Sequence, residues 1–241
     1  MLIVAAAKPQ RTVAVPVERA AIMLATDVKP SRLVAARRAA RNFVNGVPRG
    51  VNIGVMAFNG RPRVLQSPTP ERADIETALN RLTPSGGTAT GDALQAALNA
   101  LKRADRKGGD DTPPAAIVLL SDGESTKGRD PIAVAQAAKK AGIPVYTVAL
   151  GTENGTIPTP DGGTQRVPPD RATMRQVAAI TGGRAYTAAD GDKLSAVYEK
   201  LGSEVGTKDE KRELTAAFAG GALVLLALGG ASALRWFGRL P

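Results

Sequence analysis

Six apolar runs alternate with six amphipathic segments, and that alternation leaves the chain few architectures. The runs are 20–27 (AAIMLATD), 51–58, 63–66, 116–121, 144–150 and 184–187. Several are continuously apolar, the pattern of strands covered on both faces. The helical segments are 31–46, 70–81, 91–105, 131–142, 170–181 and 190–204. Their starts carry capping residues: Ser31 after Pro30, Thr69 before Pro70, and Asp170. In the first helix Leu33, Ala36, Ala40, Phe43, Val44 and Val47 share one face, with Arg37, Arg38 and Arg41 on the other. That is the pattern of an amphipathic surface helix. Strands and helices alternating at this spacing predict an α/β domain with a doubly wound, mostly parallel central sheet and helices on both faces. Two segments break the pattern. Asn59-Gly60 joins two strand runs as a hairpin. Thr156–Val167, around Asp161-Gly162-Gly163, predicts a second, exposed hairpin.

Two zeros in the composition narrow the chemistry. The 241 residues include no Cys and no His. Disulfides, thiol nucleophiles, Ser-His-Asp triads and thiolate or imidazole zinc sites are therefore excluded. Any metal must be held by oxygen atoms, which suits Mg²⁺, Mn²⁺ or Ca²⁺. The net charge is +10, and residues 1–50 hold nine cations against Glu18 and Asp27. Such a basic segment suits anionic headgroups or nucleic acid. Aromatic residues make up only 3% of the chain, so stacking platforms for bases are scarce and nucleic acid is not the expected partner.

Residues 214–234 (LTAAFAGGALVLLALGGASAL) contain no charge, and the length matches the roughly 20 residues needed to cross a bilayer core. Glycines at 220, 221, 229 and 230 weaken a soluble helix but are common in membrane spans. Arg235, Trp236 and Arg239 follow as an interfacial anchor, and KDEKRE (208–213) closes the other end. The expectation is a C-terminal transmembrane helix and a place at the cell membrane. Basic residues flank both ends, so they do not fix the orientation. Residues 2–7 (LIVAAA) read as the end of a longer apolar segment. The expected organisation is an N-terminal remnant (1–14), a domain (15–203), a linker (204–213), a span (214–234) and a basic tail (235–241).

In an open α/β sheet, sites form outside the carboxyl ends of the strands. Two polar clusters fall there. Ser121-Asp122-Gly123-Glu124-Ser125-Thr126 follows the most apolar strand, where a carboxylate is costly to desolvate unless it binds something. Gly86-Gly87-Thr88-Ala89-Thr90-Gly91-Asp92 is a glycine-rich loop entering a helix; it lacks the Lys and the spacing of a nucleotide-binding P-loop. Together Gly87–Leu94 and Ile117–Gly123 resemble the von Willebrand factor A domain, over roughly residues 15–200. With the apolar segment behind the domain, and Thr26–Leu33 (TDVKPSRL), the chain is most similar to bacterial membrane-anchored A-domain proteins of the Bat (aerotolerance) type.

The resemblance implies a metal-ion-dependent adhesion site. In that family a DxSxS motif after the first strand supplies an Asp and two Ser, a second loop a Thr (here Thr88) and a third an Asp (here Asp122). The ion then completes its octahedron with an acidic side chain of a protein partner. No DxSxS occurs in residues 1–50. A stretch of about nine residues between the apolar run and Thr26-Asp27-Val28 is expected to be missing. Asp27 and Ser31 are weak candidates to stand in, and Mg²⁺ (or Mn²⁺ or Ca²⁺) is expected to bind weakly or not at all. The reading is a membrane-tethered A-type domain for protein–protein contact, with an incomplete metal site and no catalytic or cofactor-binding residues. Two alternatives stand beside it. One is a basic lipid- or nucleic-acid-binding module. The other is a phosphoester or acyl enzyme built on Asp122 with Ser121 or Ser125.

Overall fold

A computed structural model of the chain describes residues 12–18, 23, 25–83, 88–105, 115–122, 125, 127–159, 162–189, 192 and 196–197. The protein divides into two units, Met1–Gly206 and Thr207–Pro241, and every described residue lies in the first. The apolar stretch 214–234 lies outside the described residues, as does most of 190–204. Among the described residues no helix is long and apolar enough to cross a membrane.

Eight strands and five helices are described. They run β1 (Thr12–Glu18), α1 (Arg32–Gly46), β2 (Asn52–Phe58), β3 (Pro62–Thr69), α2 (Arg72–Asn80), α3 (Thr90–Asp105) and β4 (Ala115–Ser121). Then follow α4 (Pro131–Lys140), β5 (Val145–Leu150), β6 (Thr156–Pro158), β7 (Thr164–Arg166), α5 (Arg171–Thr181) and β8 (Ala185–Ala188). Six strands form one sheet in the order β3-β2-β1-β4-β5-β8, parallel except for β3, which pairs antiparallel with β2 at the edge. The doubly wound α/β expectation is met. Both hairpins form: β2–β3 turns at Asn59-Gly60-Arg61, and β6–β7 makes a separate exposed ribbon.

The first strand requires a correction. The sequence reading places it at 20–27, whereas Met23 and Ala25–Asp27, the described part of that run, are not strand. The central position is taken by Thr12–Glu18 instead, paired with β2 and β4. Thr12, Val13, Val15 and Val17 are β-branched and suit a pleated surface, whereas Ala, Met and Leu in 20–25 favour helical backbone. Pro16 lacks an N–H, and the register with β4 is interrupted at Val15 and Pro16.

The two faces of the sheet carry separate cores. On one, α1 and α2 cover Val13, Ile53, Val55, Val118, Leu120 and Val148. On the other, α3, α4 and α5 cover Met56, Phe58, Ile117, Leu119 and Val145. Each wholly buried Leu, Ile or Phe contributes about 1.5–3 kcal/mol, so the sheet is held firmly from both sides. The predicted apolar face of α1 is buried, and Arg38 and Arg41 on its other face are exposed. Arg37 donates to the Leu82 carbonyl and Arg41 to Asn80 Oδ1, tying α1 to the end of α2. Ser31 and Asp170 cap their helices as expected. Thr69 instead ends β3, and its hydroxyl accepts from Glu71 N one residue before α2.

Candidate functional site

β1 is flanked by β2 on one side and β4 on the other, so chain order reverses there. The connections leaving β1 and β4 diverge, and it is at such a switch point that open α/β sheets form their sites. β1 ends there at Glu18, paired with Phe58, and β4 ends at Ser121. Ser121 and the Asp122 that follows are buried, Asp122 at 0% exposure. Two loop clusters of different chemistry close this end of the sheet.

The first cluster centres on Arg32, the opening residue of α1. Its side chain is 0% exposed. Nε donates to Asp27 Oδ1 and Nη2 to Asp27 Oδ2, both at 2.8 Å, the bidentate geometry that makes Arg–carboxylate pairs strong. Nη2 also donates to the Val167 carbonyl at 3.0 Å, and Nη1 to the Asp122 carbonyl at 3.0 Å. The same Nη1 lies 3.6 Å from Asp122 Oδ2. Asp27 Oδ2 further accepts from the Thr152 N–H and hydroxyl. Burial alone raises the Asp27 pKa, but the Arg32 hydrogen bonds and charge, with Thr152, outweigh it and lower the value from 3.8 to about 2. Glycines make room for the pair. A Cβ at Gly155 would lie 2.2 Å from Arg32 Nη2 and 2.5 Å from Asp27 Oδ2. A Cβ at Gly151, where φ is +125°, would lie 2.5 Å from the guanidinium.

The second cluster joins the loop before α3 to the loop after Asp122. Lys127 N donates to the Thr88 carbonyl at 3.1 Å, and Thr90 N donates to Ser125 Oγ at 3.3 Å. Thr88 and Thr90 are both buried. Asp92 accepts from Arg129 N and faces the Arg129 guanidinium at 3.8 Å on the surface. The fit is steric: a Cβ at Gly91 would stand 2.0 Å from the Arg129 carbonyl oxygen.

The structure thus brings the loops of Thr88 and Asp122 together at one end of the sheet. Asp27 also reaches this end, where both its oxygens are engaged by Arg32 and Thr152. Ser31 is the N-cap of α1, its hydroxyl accepting from Val34 N at 3.4 Å. At the spacing of a DxSxS motif counted from the end of β1, the chain carries Glu18, Ala20 and Ile22. The residue that sequence reasoning missed is Arg32. The signal was present, because Arg32 lies four and eleven residues before Ala36 and Phe43, on the apolar stripe of α1. A cation in a first helical turn also opposes the helix dipole and needs a carboxylate nearby.

Residues 15–124 match the von Willebrand factor type A domain. A UPF0353 protein of Nocardia farcinica is 36% identical over 265 aligned positions, which take in 100% of this chain and 79% of the relative. The chain belongs to the UPF0353 family. Its 241 residues are fewer than those aligned positions, so this UPF0353 chain lacks residues that its relative carries within the matched span. Two solved structures share the fold. An aerotolerance-related membrane protein from Bacteroides fragilis has a TM-score of 0.69 and 22% identity, covering 80% of this chain and 98% of that one. BatB from Bacteroides thetaiotaomicron has a TM-score of 0.67 and 21% identity, covering 81% and 98%.

Proposed function

We propose that this UPF0353 chain is a membrane-tethered A-type domain that binds another protein through the carboxyl-end face of its sheet, without catalysing a reaction. The observation that carries the reading is the pair of loop clusters at the β1/β4 switch point. They hold the loops of Ser125 and Lys127 beside the buried Thr88 and Asp122, which favours a preorganised contact surface. A-type domains are in general protein-interaction modules. The tether is the uncharged stretch 214–234 with its flanking arginines. The relation to aerotolerance-type membrane proteins supports a place at the membrane.

The adhesion site is read as incomplete. Mg²⁺ favours about six oxygens at about 2.1 Å. The motif positions after β1 hold one carboxylate and two hydrocarbon side chains, Asp27 is engaged by Arg32, and Ser31 caps a helix. Thr88 and Asp122 remain as candidate ligands, too few for more than weak binding of Mg²⁺, Mn²⁺ or Ca²⁺. Such residues do not fit a resident divalent ion, so no step of the proposed contact runs through one. The chain has no His to serve as general base for Ser121 or Ser125, which disfavours acyl or phosphoester chemistry.

The test is site-specific photocrosslinking of the full chain in native membranes. A crosslinker at Lys127, exposed beside the site, is expected to give a discrete protein adduct. One at Val64, exposed on edge strand β3, is not. Equal adducts from both positions, none from either, or a full chain that stays in the soluble fraction would contradict the reading.

A further inference from the structure

We propose that Arg32 is the built-in cation of this site, its guanidinium taking the electrostatic place beside Asp122 that a divalent ion holds in an adhesion site. The inference deepens the incomplete-site reading and rests on it only for the identity of the site. Three observations carry it. The first is direction. Arg32 is wholly buried, yet it opens a helix, where the dipole disfavours a cation. Its location is therefore set by the acceptors around it: four hydrogen bonds to Asp27, Asp122 and Val167, with the Asp122 carboxylate at 3.6 Å. The second is space. Gly151 and Gly155 line the guanidinium where any side chain would collide with it, so the pocket is shaped for this group. The third is competition. An ion bonded to Asp122 at about 2.1 Å would sit within a few ångströms of the guanidinium. Two cations that close in a buried setting repel strongly. An ion that drew on Asp27 as a further ligand would have to take it from a bidentate partner. Binding of a divalent ion at Asp122 therefore requires Arg32 to leave.

The full chain in detergent micelles is titrated with Mn²⁺, read by electron paramagnetic resonance of free Mn²⁺ and by the thermal midpoint. The parent is expected to show no saturable binding that Asp122→Ala removes. Arg32→Ala and the longer, neutral Arg32→Gln are expected to melt lower. They should then gain a Mn²⁺-dependent rise of several degrees that Asp122→Ala cancels, since a ligand that binds only the folded state raises its midpoint. Guanidinium ion at tens of millimolar should restore part of the Arg32→Ala loss and leave the parent unchanged. If neither variant folds unaided, refolding with guanidinium or Mn²⁺ is the readout, and recovery supports the proposal. Saturable Mn²⁺ binding in the parent that Asp122→Ala abolishes overturns it. So do folded Arg32 variants that respond to neither Mn²⁺ nor guanidinium, and unfolded ones that neither agent recovers. In those last two cases the incomplete-site reading survives, whereas Mn²⁺ binding at Asp122 in the parent removes both.

Discussion

Two loop clusters close the same end of one sheet and hold by opposite means. Around Arg32 the chain is joined by charge. One guanidinium draws in the 25–31 loop through Asp27, the end of β4 through Asp122, and the chain beyond β7 through Val167. Around Thr90 it is joined by backbone N–H groups, a hydroxyl and the absence of a side chain at Gly91. The charged cluster is a hub, so removing its centre takes a bonding group from three segments at once. The Thr90 cluster, whose ion pair, Asp92–Arg129, lies at the surface, is a set of separate contacts, each worth little, around one close backbone approach. The first should answer to pH and to loss of one residue. The second should answer mainly to added volume.

The comparison can be broken in four places. Arg32→Ala leaves Asp27 and Asp122 without their buried cation and should destabilise the domain by about 3–5 kcal/mol in a denaturant titration; a loss under about 1 kcal/mol would reduce the hub to an ordinary surface pair. Gly91→Ala forces α3 away from the Arg129 carbonyl and should cost about 1–3 kcal/mol, with the same loss at pH 7 and pH 3. Acid should act on the other cluster. The Asp27 pKa is lowered in the fold, so its stabilisation is complete above about pH 4 and is lost as pH falls toward about 2. That contribution is on the order of 1–2 kcal/mol after allowance for solvent screening. Asp27→Asn should flatten this part of the pH–stability curve, and an unchanged curve would deny Asp27 the role. The smallest effect is Ser125→Ala, which removes one acceptor from Thr90 N and should cost about 1 kcal/mol at any pH.

Much of the frame was legible because its signals are local. Asn59-Gly60, the Ser31 and Asp170 caps and the apolar stripe of α1 each act within a few residues, and each lies where the sequence puts it. The first strand was not legible. The run AAIMLATD is more apolar than TVAVPVE, and Pro16 argues against a central strand. Only pairing on both sides, with β2 and β4, decides between them. Thr88 and Asp122 could be placed at one end of the sheet from the order of the elements. The distant partners of the Asp27–Arg32 pair could not be found in this way, because Thr152 bonds Asp27 from 125 residues away and the Val167 carbonyl accepts from Arg32 across 135. Arg32 itself, only five residues from Asp27, reads as one more basic residue until its helical phase is traced.

The central claim, that a guanidinium rather than a metal ion balances Asp122, is tested most directly by diffraction at the manganese absorption edge from crystals of the chain equilibrated with Mn²⁺. The account predicts no anomalous peak at metal–oxygen distance, about 2.1 Å, from the Asp122 carboxylate. It also predicts Arg32 still bonded to Asp27 and to the Asp122 carbonyl. A peak bonded to Asp122, with Arg32 swung out of the pocket, would contradict it.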